Sequence, residues 1–590
     1  MSIVWILLAA LAAMAGGYLL FGRFLEKKWG IDPAQETPSQ DCFDGKDYVP
    51  TPPALVFGHH FASIASGLGM IGGALLAAEF GWLPVLLCLV LGGIFFGATQ
   101  DFGALFVSLR TKGRSIGRML RDAVGVKAQR AFTVLALLAL VQLIAVLVRL
   151  LADAFGAAPG TPIISFGADQ VSEAASAGTA AVLSVLVALL FGLLAFRKNL
   201  PMVPVAILSL LLLVGSVWAS FYCGLNLPPL VWVGVIALYL ILAAMTPVWA
   251  VLQPRDFLCA CLMAALALLG VVALAGAALS GKVEMALPAV SNGGIQPLVR
   301  ACFLLLLGGA ISGYHALVAA GTTSKQLANE KHARGVAVGA RLLKTLLAVI
   351  AVLAVALVGE KTKLLGTASI PALFASGLAT AWSALFGGSG EIVAGGLVYR
   401  LVLLTLTVFA LTTLDTALRL ARYLLSELFN PEGRRLAKLE GAQKFFARPL
   451  VGVLLVLIPG CALALLKPGD DGVTDMLLAG FGIANLLLAA AALWSLSVWM
   501  KQNGKATWML RVPAAVCLLS ALFVQVLEVI FVLVHTDQLG KLGGDKVPWN
   551  CCLIMGPGLV LIVPAAILLF QLLPKLWKKT ENQEAADDAD

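Results

Sequence analysis

Two short apolar stretches carry side chains that lipid-facing helices avoid. The first is Gly58-His59-His60-Phe61-Ala62-Ser63-Ile64-Ala65-Ser66-Gly67, the second Gly313-Tyr314-His315-Ala316-Leu317-Val318-Ala319-Ala320-Gly321. Each sets a histidine two positions after a glycine and closes a run of small residues on another glycine. Together they hold three of the chain's five histidines. Imidazole changes charge near physiological pH, so His59, His60 and His315 suit proton handling or contact with a carboxylate. The competing role is structural, with histidines bonding backbone carbonyls to hold a bend and small residues allowing close helix packing. Tyr314, beside His315, would form the wall opposite His59 and His60. Ser63, Ser66, Thr322, Thr323 and Ser324 add hydroxyls, which can equally bond the preceding helical turn. Gly58, Gly67 and Gly313 complete this candidate substrate-binding set.

Asp101 and Asp415 each sit near the end of an apolar run, where an ionisable group is a functional candidate by default. Either could couple transport through protonation. The alternative for Asp415 is an ion pair with Arg419 one turn on, and for Asp101 a pair with a basic residue of the following loop. Thr412 and Thr413, a turn before Asp415, could join backbone carbonyls of the first histidine segment in a sodium site if the fold is of the amino-acid/cation symporter type. Glu79, Gln525 and Glu528 read as interfacial or packing groups. The ten cysteines include no CxxC pair, and there is no HExxH, GxxxxGK[ST] or nucleophile-elbow motif. The chain therefore offers no metal site, no ATP-driven pump and no enzyme signature, and no cofactor is expected.

The elements that must position these groups follow from composition. Hydrophobic residues make up 60% of the 590 positions and charged residues 12%, and mean hydropathy is +0.96. Lipid is the solvent for such a chain, so every backbone polar group must be satisfied internally. Apolar runs of about 18–25 residues then specify membrane-spanning helices rather than barrel strands. The net charge of +9 lies in short links between the runs, which marks topology rather than a nucleic-acid surface.

About fifteen spans fit. The segment from Arg110 to Arg130 is the most basic and is placed in the cytoplasm. Counting outward from it, Asp153–Glu173, Cys223–Leu227, Lys282–Pro297, Glu360–Glu391, Lys467–Asp475 and His535–Asn550 fall outside. Lys325–Arg341, Arg419–Arg448, Lys501–Arg511 and the tail after Lys575 fall inside. The N-terminus is then periplasmic and the C-terminus cytoplasmic. The first run resembles a signal peptide in its small residues, but Arg23, Lys27 and Lys28 follow it instead of preceding it, as in an N-out first helix. Ile370–Phe386 reads as a short outer or re-entrant helix, and 581–590 as a disordered acidic tail. Cys223, Cys551 and Cys552 fall in outer segments, where a disulfide is chemically permitted.

In this topology the two histidine segments run antiparallel. Gly-interrupted helices at matching places in two oppositely oriented halves are the mark of an inverted repeat with two broken helices, whose site lies where they meet. The division expected is 1–54, an N-terminal transmembrane helix and cytoplasmic loop; 55–256, a first repeat region; 257–297, a connecting helix and outer loop; 298–510, a second repeat region; and 511–580, C-terminal helices.

The motifs also resemble those of a known family. Asp47-Tyr48-Val49-Pro50-Thr51 followed by Phe57-Gly58-His59-His60-Phe61-Ala62-Ser63-Ile64-Ala65 is similar to the opening hallmark of the carbon starvation protein A (CstA) family. Gly97-Ala98-Thr99-Gln100-Asp101-Phe102, Pro247-Val248-Trp249, Gln253-Pro254-Arg255-Asp256, Gly309 to His315, Gly321 to Gln326, and Thr413-Leu414-Asp415-Thr416 with Arg419 continue it in order. The resemblance implies a multi-pass bacterial inner-membrane secondary transporter that takes up peptide or pyruvate during carbon starvation, with a proton as coupling ion; sodium is the alternative that the symporter-fold analogy offers. It does not choose the substrate. The chain departs from the family pattern at Lys344, where the family carries Glu, at Leu68-Gly69-Met70, and at Asn485-Leu486. A membrane sensor that binds the same nutrient and signals to a cytoplasmic partner is the competing class.

Overall fold

The computed structural model describes residues 3–65, 67–158, 160–167, 169–291, 310–358, 370–388, 393, 396–430, 438–466, 471–543 and 547–577. Its elements are helices α1 (Ile3–Trp29), α2 (Pro53–Ile64), α3 (Gly67–Phe80), α4 (Trp82–Arg110), α5 (Val126–Phe155), α6 (Glu173–Arg197), α7 (Met202–Ser220), α8 (Pro229–Met245), α9 (Leu252–Ser280) and α10 (Gly313–Gly321). They continue with α11 (Glu330–Val358), α12 (Ile370–Leu385), α13 (Gly396–Phe429), α14 (Pro449–Ala464), α15 (Asp471–Gln502), α16 (Trp508–Gly543) and α17 (Val547–Trp577). Among the described residues ten of these are long and apolar enough to cross a membrane, and α8, α12, α14 and part of α17 are shorter apolar helices. The acidic segment 581–590 lies outside the described residues.

Burial follows position in the bundle. On α7 the apolar Val203, Ile207, Leu211, Val214 and Trp218 form an exposed stripe at helical spacing, which in a membrane chain is a lipid-facing surface. By contrast α11 is buried almost throughout and packs against α1, α2, α3, α4, α9 and α12. It is the central post of the bundle. Helix α12 has 16 residues, about 24 Å at 1.5 Å per residue, shorter than the hydrocarbon core. Its Phe374, Ala375, Leu378 and Ala381 are buried, and it packs on α9, α11 and α13. It is thus a short helix held within the bundle.

Contacts between links sort them into the two groups that the charge count separates. In the basic group, Arg110 pairs with Glu330 and donates to the Gly30 carbonyl at 2.8 Å, and Gln502 donates to the Ala123 carbonyl at 3.1 Å. In the other group, Leu83 N–H donates to Ala289 at 3.0 Å and Lys282 to the Gly387 carbonyl at 2.8 Å. Two short strands, Ile164–Phe166 and Cys223–Leu225, also pair antiparallel there. An all-helical reading did not anticipate them; they form because two extended links of three residues lie side by side and satisfy each other's backbone groups.

On the basic face, Asp47 accepts from Arg422 at 2.6 Å and Arg419 at 3.2 Å. Burial disfavours its charged form, yet the guanidiniums of Arg422 and Arg419 and the Lys325 ammonium outweigh that and hold its carboxyl below the ordinary value. A lowered carboxylate contributes stability that is complete above its unfolded value, about 3.9, and is lost as pH falls through the folded value. Asp47→Asn is expected to cost about 2 kcal/mol at pH 7. Thermal unfolding of both proteins between pH 7 and pH 3 should show the gap closing at the acid end.

Beside this cluster the segment before α2 lies along the segment after α10. Val49 N–H donates to the Lys325 carbonyl at 3.2 Å and Thr51 N–H to the Gln326 carbonyl at 3.0 Å. Gln253 Nε2 donates to both Thr51 Oγ1 and Gln326 Oε1 at 2.8 Å. The Lys325 ammonium lies 3.5 Å from the Tyr423 ring centroid and 5.2 Å from that of Tyr48.

Candidate functional site

Helices α2 and α10 meet as an antiparallel pair. Thr51 lies beside Gln326, His59 and His60 beside Thr322 and Thr323, and the Ile64 carbonyl against the His315 ring. From Thr51 to Ile64 the partners fall from Gln326 to His315, although the strap 49–51 itself runs parallel to 325–327. Both helices are interrupted where the glycine-rich sequence suggests. Helix α2 ends at Ile64, Ala65 leaves helical geometry, and Gly67 opens α3. Ser312, immediately before α10, is extended at φ −157 and ψ 126. Ser66 lies outside the described residues.

The two histidines of α2 enter different networks. His59 Nδ1 lies 2.5 Å from Asp256 Oδ2 and its Nε2 lies 2.9 Å from Thr322 Oγ1. His60 Nδ1 lies 2.9 Å from Thr323 Oγ1, while its Nε2 is buried without a hydrogen-bond partner among the described residues. One turn on, Ser63 Oγ bonds Thr416 Oγ1 of α13 at 3.0 Å. The hydroxyls of Thr322 and Thr323 thus join the imidazoles of the opposite helix, although Thr322 Oγ1 also lies 3.0 Å from the Val318 carbonyl of its own helix.

His315 belongs to a charged cluster. Arg341 Nη1 approaches its Nδ1 at 2.6 Å and Lys344 Nζ its Nε2 at 3.3 Å, while Arg341 Nε lies 3.1 Å from Asp101 Oδ2. All four side chains are buried. Asp101 therefore pairs with an arginine of α11, not with a basic residue of the following loop. Gly97 permits the approach, since a Cβ there would collide with the Arg341 guanidinium. At the start of α10, Asn485 Oδ1 accepts from Ser312 Oγ at 3.0 Å and from Tyr314 N–H at 3.1 Å, and Gln100 donates to the Ser312 carbonyl. The interrupted helix end is thereby satisfied by side chains of α15 and α4. Tyr314 donates its hydroxyl to the Thr413 carbonyl at 3.0 Å.

Asp415 accepts from Arg255 at 2.7 Å and from the Tyr239 hydroxyl at 2.5 Å. Arg255 also donates to Tyr239. The pairing with Arg419 does not occur, because that guanidinium turns to Asp47 and to the carbonyls of Ala243 and Thr246. Thr412 donates to its own helix at Phe409, 2.5 Å, whereas Thr413 Oγ1 is buried without a partner among the described residues. Of the departures, Lys344 and Asn485 fall inside the site; the side chains of 68–70 lie outside the described residues.

Sequence reasoning did not assign Asp256, Arg255, Tyr239, Arg341 or Gln100 to the site. The available signal was charge at the start of an apolar span, in Arg255-Asp256 and Arg341-Lys344. Gly313 has a steric role as well. A Cβ there would fall 2.5 Å from Ala489 N and 2.6 Å from the Leu488 carbonyl carbon, both backbone atoms of α15. Gly313→Ala is expected to cost about 1–3 kcal/mol, measured by thermal unfolding in detergent. A separate cleft of about 630 Å³ opens between α1, α2 and α11, lined by Met14, Tyr18, Phe57, His332, Val336 and Leu343. It is apolar and does not include the histidine networks.

A family model described as Carbon starvation protein CstA matches residues 2–364 and 355–523. The chain is 28% identical to the peptide transporter CstA of Campylobacter jejuni over 88% of its own length and 80% of that protein. It is 30% identical to the pyruvate/proton symporter BtsT of Escherichia coli over 60% of its length and 49% of that protein. Among solved structures, the manganese transporter of Eremococcus coleocola aligns with a TM-score of 0.47 at 12% identity, covering 90% of this chain and 99% of that one. The relatives are transporters, and this multi-pass membrane chain is not an enzyme: it belongs to the carbon starvation protein CstA family.

Proposed function

We propose that this protein is a secondary transporter that imports a small carboxylate-bearing nutrient, a peptide or pyruvate, under carbon starvation, driven by protons through alternating access. The observation that carries this reading is the meeting of two interrupted, antiparallel helices through buried imidazoles and hydroxyls, His59 with Thr322 and His60 with Thr323. Relatives named for peptide transport and for pyruvate/proton symport support the substrate class. In the proposed division into 55–256 and 298–510, His59 and Asp256 pair within the first half, while two buried ion pairs of the site join the two halves, Asp101 with Arg341 and Arg255 with Asp415. Relative movement of the halves would act on these pairs. The proposed orientation puts the basic face in the cytoplasm, with the N-terminus periplasmic and the C-terminus cytoplasmic, since that face gathers the Lys- and Arg-rich links.

Uptake into proteoliposomes with an imposed proton or sodium gradient tests the reading. Accumulation of pyruvate or alanylalanine driven by an inward proton gradient is expected. Folded protein that accumulates neither under either gradient would exclude it.

A further inference from the structure

We propose that Lys344 is neutral in this arrangement and takes up the coupling proton together with the substrate carboxylate, which its ammonium then binds. The inference rests on the transport reading above and deepens it. The geometry begins at His315. A guanidinium has only N–H groups to offer, so the 2.6 Å approach of Arg341 Nη1 makes His315 Nδ1 the acceptor. A neutral imidazole then carries its proton on Nε2, the atom 3.3 Å from Lys344 Nζ. An ammonium has three N–H donors and no lone pair, so it would oppose that N–H, whereas a neutral amine accepts from it. The Ile64 carbonyl lies against the same ring. Whichever acceptor takes the Nε2 proton, no ring nitrogen is left with a lone pair for an ammonium.

Charge balance points the same way. Asp101 and Arg341 form one balanced pair at 3.1 Å, and Lys344 is only 2% exposed with no carboxylate in hydrogen-bond reach among the described residues. The charged and titratable groups around it are few. Arg341 lies on its own helix, Asp101 on α4, His59 and His60 on α2, and His315 on α10. On α9, Arg255 is held by Asp415 and Asp256 by His59. Helix α12 contributes no charged residue, those of α1 begin at Arg23, and α3 has Glu79 alone, whose side chain lies outside the described residues. With Lys344 neutral, the four-residue cluster carries no net charge. A proton on Nζ adds one positive charge in a buried site, which is costly unless an anion accompanies it. A carboxylate entering beside Nζ restores neutrality and accepts the N–H groups that His315 cannot. Proton and carboxylate therefore each raise the affinity of the other, as linkage requires. On release, the carboxylate and the proton leave to the same side, and Nζ again accepts from His315. One proton accompanies each monocarboxylate, and the transfer is electroneutral.

The test has two arms, on the full-length protein with Lys344→Met and Lys344→Arg. The first is independent of transport and compares thermal unfolding of wild type and Lys344→Met from pH 6 to pH 9. A lysine that is neutral only when folded makes the unfolded state bind more protons, so wild-type stability relative to Lys344→Met should rise with pH. A difference that does not change with pH overturns the proposal. The second arm uses pyruvate in proteoliposomes carrying an internal pH dye. Wild type should move one proton per pyruvate, and both variants should lose gradient-driven accumulation by at least tenfold. Lys344→Arg, permanently charged, should retain pyruvate counterflow that no longer varies with pH. Proton-coupled accumulation by Lys344→Met at the wild-type level overturns the proposal. If wild type moves no pyruvate yet shows the expected pH-dependent stability difference, the transport reading fails, and coupling at Lys344 with it, while the neutral lysine stands.

Discussion

Arg255→Met is expected to destabilise the protein by about 3–5 kcal/mol, the loss typical when one partner of a buried ion pair is removed. Arg255 and Asp415 have side chains 1% and 2% exposed and lie 2.7 Å apart. Removing the guanidinium leaves a carboxylate in a low-dielectric interior with only the Tyr239 hydroxyl to accept from. Asp415→Leu should be comparably costly, for the opposite charge. The double variant Arg255→Met with Asp415→Leu should regain most of the loss, because it removes both desolvated charges together. Thermal unfolding of the four proteins in one detergent measures the cycle. Additive losses in the double variant would mean that the two residues do not act as a pair. The same cycle separates folding from transport: a stable double variant that no longer moves substrate would place the pair in the transport cycle as well as in the fold.

The second large effect is expected at Asp256. Its Oδ2 is 2.5 Å from His59 Nδ1, and both side chains are fully buried. The carboxylate directs the Nδ1 proton towards itself and leaves Nε2 to face Thr322. The Thr322 hydroxyl has a single hydrogen and two acceptors within reach, His59 Nε2 and the Val318 carbonyl. If it donates to the imidazole, Nε2 is bare; if it donates to Val318, Nε2 must itself carry a proton. The α2–α10 contact therefore has two proton arrangements, and Asp256 is what keeps the ring oriented in both. Asp256→Asn should slow uptake by about 10- to 100-fold, equivalent to the 1.5–3 kcal/mol of a charge-assisted hydrogen bond. Uptake with unchanged initial rates would remove Asp256 from the mechanism. Thr322→Val, which abolishes the rotor but keeps the shape, should slow transport with a smaller loss of stability.

What was legible in the sequence is what a local count can carry. A many-spanning helical chain, a break within the first histidine segment and the antiparallel relation of the two segments follow from apolar length, glycine and the placement of Lys and Arg. None of these needs a tertiary contact. The pairings were not legible in the same way. Asp101 meets Arg341 across 240 positions and Asp415 meets Arg255 across 160, whereas the sequence offered each aspartate a nearer basic residue. Arg419 is one helical turn from Asp415, yet it is more fully satisfied by Asp47 and two backbone carbonyls. Proximity along a helix sets a weak preference of a few tenths of a kcal/mol, and burial of a guanidinium with several acceptors overrides it. The hydroxyls of Thr322 and Thr323 could be named as candidates, but their partners depended on how α10 docks against α2.

The strap on the basic face, where Val49 and Thr51 run beside Lys325 and Gln326, is fastened by main-chain groups. Side-chain substitution at those positions leaves both bonds available, so the strength of the clasp is set by chain geometry and by Gln253, which spans its two edges. Separating the two segments would expose two amide donors and two carbonyls that now satisfy one another. The hold between the two segments is thus written largely in the backbone, and it does not depend on which side chains stand at those four positions.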